Sequence, residues 1–336
     1  MTHFLYYPGC SMDASAKAYA DSLEAISGTL GLELEEIEDW NCCGATEYHG
    51  ISPIQAHALV GRNLALAEAQ KDGSRTLVAP CSACFLNLAK TEHYLREDKA
   101  LAASVNTALE AAGLHYTPGS IEVRHLLEIV FNDIGVEEVH AHVTRPLSGL
   151  KVAPYLGCLV TRPDYEGRWK SNEHPREFDR LLRALGAQVV DFPLRTDCCG
   201  GHMTQISPAT GFELIRRLVH GAVEAGAEML VTLCPMCQMN IDAYQAEMNR
   251  YFKTSYHMPI LFFTQLIGLA FGYPPEKLGI GTEIVSARQV LNKIGIVVPE
   301  TEAQEPVGAA PQRRPRAKKT GLPMPAMPGE DGEAPQ

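Results

Sequence analysis

Ten cysteines constrain this 336-residue chain more than any other feature. They fall at positions 10, 42, 43, 81 and 84, and again at 158, 198, 199, 234 and 237. Each set reads Cys, then Cys-Cys-Gly, then Cys-x-x-Cys, with gaps of 31 and 37 residues in the first set and 39 and 34 in the second. No cysteine is left over. The chain is therefore an internal repeat, offset by roughly 150 residues, which is a domain-sized unit.

The flanks repeat as well. Phe4-Leu5-Tyr6-Tyr7-Pro8-Gly9 before Cys10 matches Val152-Ala153-Pro154-Tyr155-Leu156-Gly157 before Cys158, and Thr76 to Cys81 matches Leu230 to Cys234. His125-Leu126-Leu127-Glu128 aligns with Phe263-Thr264-Gln265-Leu266. In each half a short apolar strand runs into Gly-Cys. A helix follows, over Ala14 to Leu30 in the first half and Pro175 to Leu185 in the second, each stopped by a glycine, Gly31 or Gly186. Strands are predicted at Glu33 to Ile37 and Gln188 to Phe192, and long helices at Pro53 to Lys71 and Pro208 to Ala225. The strands at 75–79 and 229–233 lead into Cys-x-x-Cys, which opens another helix. Alternating strands and helices of this length give an α/β fold, two related Rossmann-like halves with mainly parallel sheets. The predicted domains are 1–148 and 149–298, with 299–336 as a Pro-, Ala- and Gly-rich disordered tail. That tail carries a basic knot at Arg313, Arg314, Arg316, Lys318 and Lys319, read first as a solvated segment and second as a docking arm for an acidic partner.

All three cysteine groups of each half sit where a strand ends. In open parallel sheets, ligands bind outside the carboxyl ends of the strands, so thiols far apart in sequence can converge there.

The compartment narrows what the thiols are for. The first ten residues lack a basic segment followed by an apolar one, so no secretory signal is read. The longest apolar stretch, Ile260 to Tyr273, is too short to span a bilayer. A cytoplasmic location follows, where thiols stay reduced. The net charge of −11 gives no reason to expect a nucleic-acid partner.

Four uses of the cysteines compete. A disulfide framework conflicts with the compartment and with a chain long enough to build proper cores. Zinc needs four ligands in a closed tetrahedron, and each half offers five in a different spacing. A thioredoxin-like dithiol would use Cys81/Cys84 and Cys234/Cys237 and leave six cysteines idle. Iron–sulfur ligation accounts for all ten, because soft thiolates select such clusters. Five per set suggests a cluster in which some thiolates bridge two irons. Gly9, Gly44, Gly157 and Gly200 flank the ligands, where backbone must come close to a cluster or adopt positive φ.

The paired motifs resemble the cysteine-rich, or CCG, domain of the heterodisulfide reductase B subunit, over about residues 3–275 and in both halves. The resemblance implies two noncubane [4Fe-4S] clusters. One would be held by Cys10, Cys42, Cys43, Cys81 and Cys84, the other by Cys158, Cys198, Cys199, Cys234 and Cys237. It implies a thiol or disulfide substrate between the clusters, its S–S bond split and each sulfur captured by iron. It also implies electrons arriving from an iron–sulfur protein like the family's C subunit, often fed by a flavin-containing protein like its A subunit. Related proteins occur in sulfur-oxidising complexes and in other dehydrogenases, so the substrate does not follow from the ligands. An electron-relay subunit of a dehydrogenase or quinone-linked complex is the first alternative, and a structural zinc scaffold the second.

Outside the cysteines, His202 follows Gly200-Gly201 and is the candidate proton donor to a departing thiolate, weighed against a plain hydrogen bond to a cluster sulfur or carbonyl. His49 carries a weaker form of the same argument. His57 and His220 read as helix packing or surface, and Arg162 and Lys170 as loop cations that could instead greet an anionic thiol.

Overall fold

A computed structural model describes residues 2–45, 48–70 and 74–299. The expected tail and its basic knot lie outside the described residues.

The first half runs β1 (Thr2–Tyr6), α1 (Lys17–Ser27), β2 (Leu32–Glu36), α2 (Tyr48–Ile51), α3 (Pro53–Gln70), β3 (Thr76–Ala79), α4 (Ser82–Glu97), α5 (Lys99–Glu110), β4 (Glu122–His125), α6 (Leu126–Ile129) and α7 (Val136–Ala141). The second runs β5 (Lys151–Tyr155), α8 (Glu177–Ala184), β6 (Gln188–Val189), α9 (Met203–Ile206), α10 (Pro208–Glu224), β7 (Met229–Thr232), α11 (Pro235–Phe252), β8 (Ile260–Phe262), α12 (Phe263–Ala270) and α13 (Arg288–Lys293). Each half builds one four-stranded sheet, in the orders β2-β1-β3-β4 and β6-β5-β7-β8, and every pairing is parallel. The α/β, mainly parallel architecture read from the sequence is the one observed.

The central strands are apolar runs because helices bury them. Leu77, Val78 and Ala79 of β3 and all four residues of β7 are buried. The expected helix stops are real: Gly31 and Gly186 both have positive φ, 63° and 89°. The strand expected to reach Phe192 ends at Val189. Pro193 has no N–H to extend the ladder, and the Phe192 carbonyl instead accepts from Arg195 Nε at 3.0 Å.

One registration needs correcting. His125 corresponds to Phe262, not Phe263. Both are N-cap residues that end a strand, β4 or β8, and both have a backbone N–H that donates to the side chain three residues on, Glu128 or Gln265. They also pair at equivalent places, His125 with Ala79 and Phe262 with Thr232.

Residues 1–299 form one compact unit with a core continuous through both halves. The join is made by α1 against α12. Tyr19 stacks on Phe262 with ring centroids 4.4 Å apart, and the buried hydroxyls of Ser22 and Thr264 are 2.7 Å apart. This join sets the strand ends of the two sheets next to each other.

Candidate metal centre

The first cysteine of each set follows a strand and a glycine turn. After β1, the Tyr7 N–H donates to the Val78 carbonyl at 2.9 Å, and Gly9 turns the chain with φ 74°. After β5, the Leu156 and Gly157 N–H groups donate to the Arg195 carbonyl at 2.9 and 3.1 Å, and Gly157 has φ 70°. A methyl group at Gly9 would lie 2.8 Å from Cys84 Sγ, and one at Gly157 would lie 3.0 Å from Cys237 Sγ. Glycine is thus required twice over, by conformation and by the thiol above it. Gly9→Ala is expected to cost about 1–2 kcal/mol from the left-handed backbone alone. It should also displace Cys84, so that the denaturation midpoint and the bound metal fall together. A variant as stable as the parent would contradict the close approach.

The vicinal pairs sit in matching turns. Gly44 and Gly200 have φ of 66° and 87°. The Gly200 and Gly201 N–H groups donate to Cys198 Sγ and Cys199 Sγ at 3.4 and 3.3 Å, and the Gly44 and Ala45 N–H groups serve Cys42 and Cys43 in the same way. Cys81 and Cys234 are the N-cap residues of α4 and α11, where the positive helix end favours a thiolate.

These loops bring the thiols into a row. Cys42 hydrogen-bonds to Cys43, Cys43 to Cys84, and Cys84 to Cys81. Cys81 meets Cys234 of the other half. The row continues through Cys237, Cys199 and Cys198 to Cys158, while Cys10 lies beside Cys42. Three members are drawn well below the ordinary thiol range. Hydrogen bonds from Cys42 and then Cys84 draw Cys43 down to about 3. Those from Cys158 and then Cys199 draw Cys198 down to about 2. Cys237 and then Cys81 draw Cys234 down. Their neighbours hold the protons: the bond to Cys198 pushes Cys199 up to about 12, and that to Cys43 pushes Cys42 up. Cys10, Cys42 and Cys198 are exposed, Cys158 is half-buried and the other six are buried, so the row opens to solvent at its outer ends.

A second set of residues repeats with the thiols, beyond those expected from the motifs. Tyr7 and Tyr155, three residues before Cys10 and Cys158, donate from their hydroxyls to the carbonyls of Asn41 and Asp197, both at 2.8 Å. Those carbonyls immediately precede the vicinal pairs. Burial, and then the neighbouring thiolates, hold both phenols protonated. Asn87 and Asn240, three residues after Cys84 and Cys237, donate to the carbonyls of Cys43 and Cys199 at 3.1 and 2.7 Å. Each half thus pins its vicinal pair from both sides. The fixed offsets of −3 and +3 are the signal the sequence carries for them.

Other expected residues fall as follows. A cavity of about 270 Å³ is lined by all five thiols of the second set together with Ser82, His202 and Met236. His49 packs edge-on against His57 at 4.9 Å, faces Cys43, and leaves its buried Nε2 without a partner. His57 is buried and bonded to Thr91 Oγ1 at 3.0 Å, and His220 to the Tyr256 hydroxyl at 3.0 Å. Arg162 is no free loop cation: it bonds to the Thr196 carbonyl and to Glu173, and its charge favours the Cys198 thiolate. Lys170 is exposed.

Among the described residues, no group of three or more His, Cys, Asp or Glu side chains closes around a single ion. The donor set is a soft, extended row with backbone N–H groups aimed at its sulfurs, glycines clearing space beneath it and a cavity alongside. These are the features that a multinuclear iron–sulfur group requires.

Comparison with known proteins agrees with the repeat. The cysteine-rich domain model, CCG, matches residues 4–89 and 152–242. The 8-methylmenaquinol:fumarate reductase membrane anchor subunit of Wolinella succinogenes is 34% identical over 287 residues, covering 85% of this chain and 98% of that protein. The B subunit of the ferredoxin/F420H2-dependent CoB-CoM heterodisulfide reductase of Methanosarcina acetivorans is 34% identical over 297 residues, covering 88% and 97%. Among the described residues, no helix is long and apolar enough to cross a membrane. The crystal structure of a hypothetical protein from Helicobacter pylori shares the fold, with a TM-score of 0.66 at 16% identity over 84% of this chain and 52% of that longer one. The chain belongs to the cysteine-rich CCG-domain family, as a homologue of the heterodisulfide reductase B subunits.

Proposed function

We propose that this chain is an iron–sulfur redox subunit that reduces or forms a disulfide-type bond between two noncubane [4Fe-4S] clusters. Cys10, Cys42, Cys43, Cys81 and Cys84 would hold one, and Cys158, Cys198, Cys199, Cys234 and Cys237 the other. The observation that carries this reading is the contact between Cys81 and Cys234, which joins both ligand sets in one row across the halves. Two separate storage or relay sites would not need to touch. Such clusters, held by these cysteines, would supply electrons one at a time. Splitting a disulfide into two thiols takes two electrons and two protons, so a paired centre suits it. His202, beside the second set, is the proposed proton donor. The two halves, 1–148 and 149–298, serve as twin ligand-bearing domains. The proposed setting is cytoplasmic, within a complex whose other members are an iron–sulfur protein of the C-subunit type and a flavin-bearing protein of the A-subunit type.

A second reading, electron relay within a quinone-linked complex, draws on the 34% identity to the membrane anchor of an 8-methylmenaquinol:fumarate reductase. Anaerobic purification with metal analysis tests the shared premise. About eight iron and eight sulfide per chain are expected for two such clusters. One zinc per half and no sulfide would overturn it. Adding thiol or disulfide to the oxidised protein separates the two readings: a new paramagnetic signal supports bond chemistry, and its absence supports relay.

A further inference from the structure

Among the places where the repeat is broken beside the thiols, two exchange a polar for an apolar side chain. Ser82 follows Cys81, and its counterpart after Cys234 is Pro235. His125 ends β4, and its counterpart at the end of β8 is Phe262. In both cases the first half carries a hydrogen-bond donor and the second carries an apolar ring.

Both donors are buried, and neither makes a well-formed hydrogen bond. Ser82 is 1% exposed, and its hydroxyl has no hydrogen-bond partner. It nevertheless lines the cavity formed by the five thiols of the other half. His125 is 0% exposed. Its Nδ1 accepts the Leu127 N–H at 3.0 Å, so the neutral ring carries its proton on Nε2. Nε2 lies beside the Pro80 carbonyl and near the Cys234 thiol, and it has no well-formed hydrogen bond. The ring is fixed by its cap bond and by the edge of Phe85, 5.6 Å away at 87°. A buried donor without a partner is costly and calls for an acceptor that arrives later.

We propose that Ser82 and His125 of the first half are hydrogen-bond donors to the sulfur of the second centre, and that they raise its potential. Hydrogen bonds to cluster sulfur stabilise the more negative, reduced state and raise the potential. Pro235 and Phe262 offer the first centre nothing equivalent. This inference rests on the iron–sulfur reading above.

The test is a redox titration of the anaerobically purified full chain, following the paramagnetic signal of each centre. The signal that disappears in Cys198→Ser identifies the second centre. Ser82→Ala and His125→Phe are each expected to shift the second centre's one-electron equilibrium about tenfold toward the oxidised form, a potential about 59 mV lower. The first centre should not move. His125→Gln, which keeps an N–H donor, should recover much of the shift. Full iron content with an unmoved second centre in Ser82→Ala overturns the proposal, as does an equal shift of both centres. Ser82→Ala removes one oxygen atom and decides the matter even where His125→Phe fails to fold. Absence of iron and sulfide from the unaltered chain overturns the underlying reading instead.

Discussion

Cys198→Ser is expected to remove about half of the bound iron and sulfide and one of two cluster signals, while the other signal survives. Cys198 is the acceptor between Cys158 and Cys199, takes a further N–H from Gly200, and has Arg162 nearby, which together hold its thiol far below the ordinary range. A serine hydroxyl has neither the acidity nor the softness to replace it as an iron ligand. Cys198 is also exposed, so the substitution leaves the apolar core intact and the folded chain should remain. The first set touches the second through Cys81 and Cys234, and Cys234 is separated from Cys198 along the row by Cys237 and Cys199, so the first set's own ligands are undisturbed. Iron and sulfide analysis beside low-temperature spectra reads both halves at once. Loss of both signals would mean one shared centre, and loss of neither would remove Cys198 from the ligand set.

The sequence made the repeat legible because ligand chemistry leaves few substitutes. Cysteine cannot drift to another residue where a soft thiolate is needed, and glycine cannot drift where φ is positive, so both kinds of position stand out. Strand and helix order was legible from apolar periodicity. The tyrosine and asparagine that pin each vicinal pair were legible in principle, since Tyr7/Tyr155 and Asn87/Asn240 repeat at fixed offsets. Neither residue type announces metal chemistry, however, because each acts through a backbone carbonyl. The contact of Cys81 with Cys234 was not legible. It depends on how α1 meets α12, through Tyr19 on Phe262 and Ser22 on Thr264, and those residues are separated by more than 200 positions. The mismatch of His125 with Phe262 was hidden by a one-residue slip in aligning the flanks, which backbone pairing corrects.

Arg195→Ala should be the most damaging substitution outside the cysteines, although nothing in its sequence context marks it. Arg195 and Asp179 are both 0% exposed and are joined at 2.5 Å. The same guanidinium donates to the carbonyls of Phe192 at 3.0 Å and Pro175 at 3.2 Å. Its removal leaves the Asp179 carboxylate buried, with only Arg176 at 3.1 Å and Arg183 at 3.7 Å, both half exposed, to balance it. Breaking one side of a buried pair costs about 3–5 kcal/mol, a large share of the 5–15 kcal/mol that typically holds a protein folded. The damage is directed at the second centre. The Arg195 carbonyl anchors Leu156 and Gly157 before Cys158, and Arg195 itself stands three residues before Cys198. At the corresponding place in the first half, Asp39 is on the surface and pairs with Arg62. Arg195→Ala should therefore lower the denaturation midpoint sharply and empty the second centre before the first. Arg195→Lys should rescue little, because one ammonium cannot reproduce the planar fork that serves four acceptors, Asp191 being the fourth. Replacing both partners with apolar residues, Arg195→Met with Asp179→Leu, should be milder than Arg195→Ala alone, because no charge is then stranded. A loss under about 1 kcal/mol in Arg195→Ala, or equal depletion of both centres, would show that the buried pair does not brace the second ligand loop.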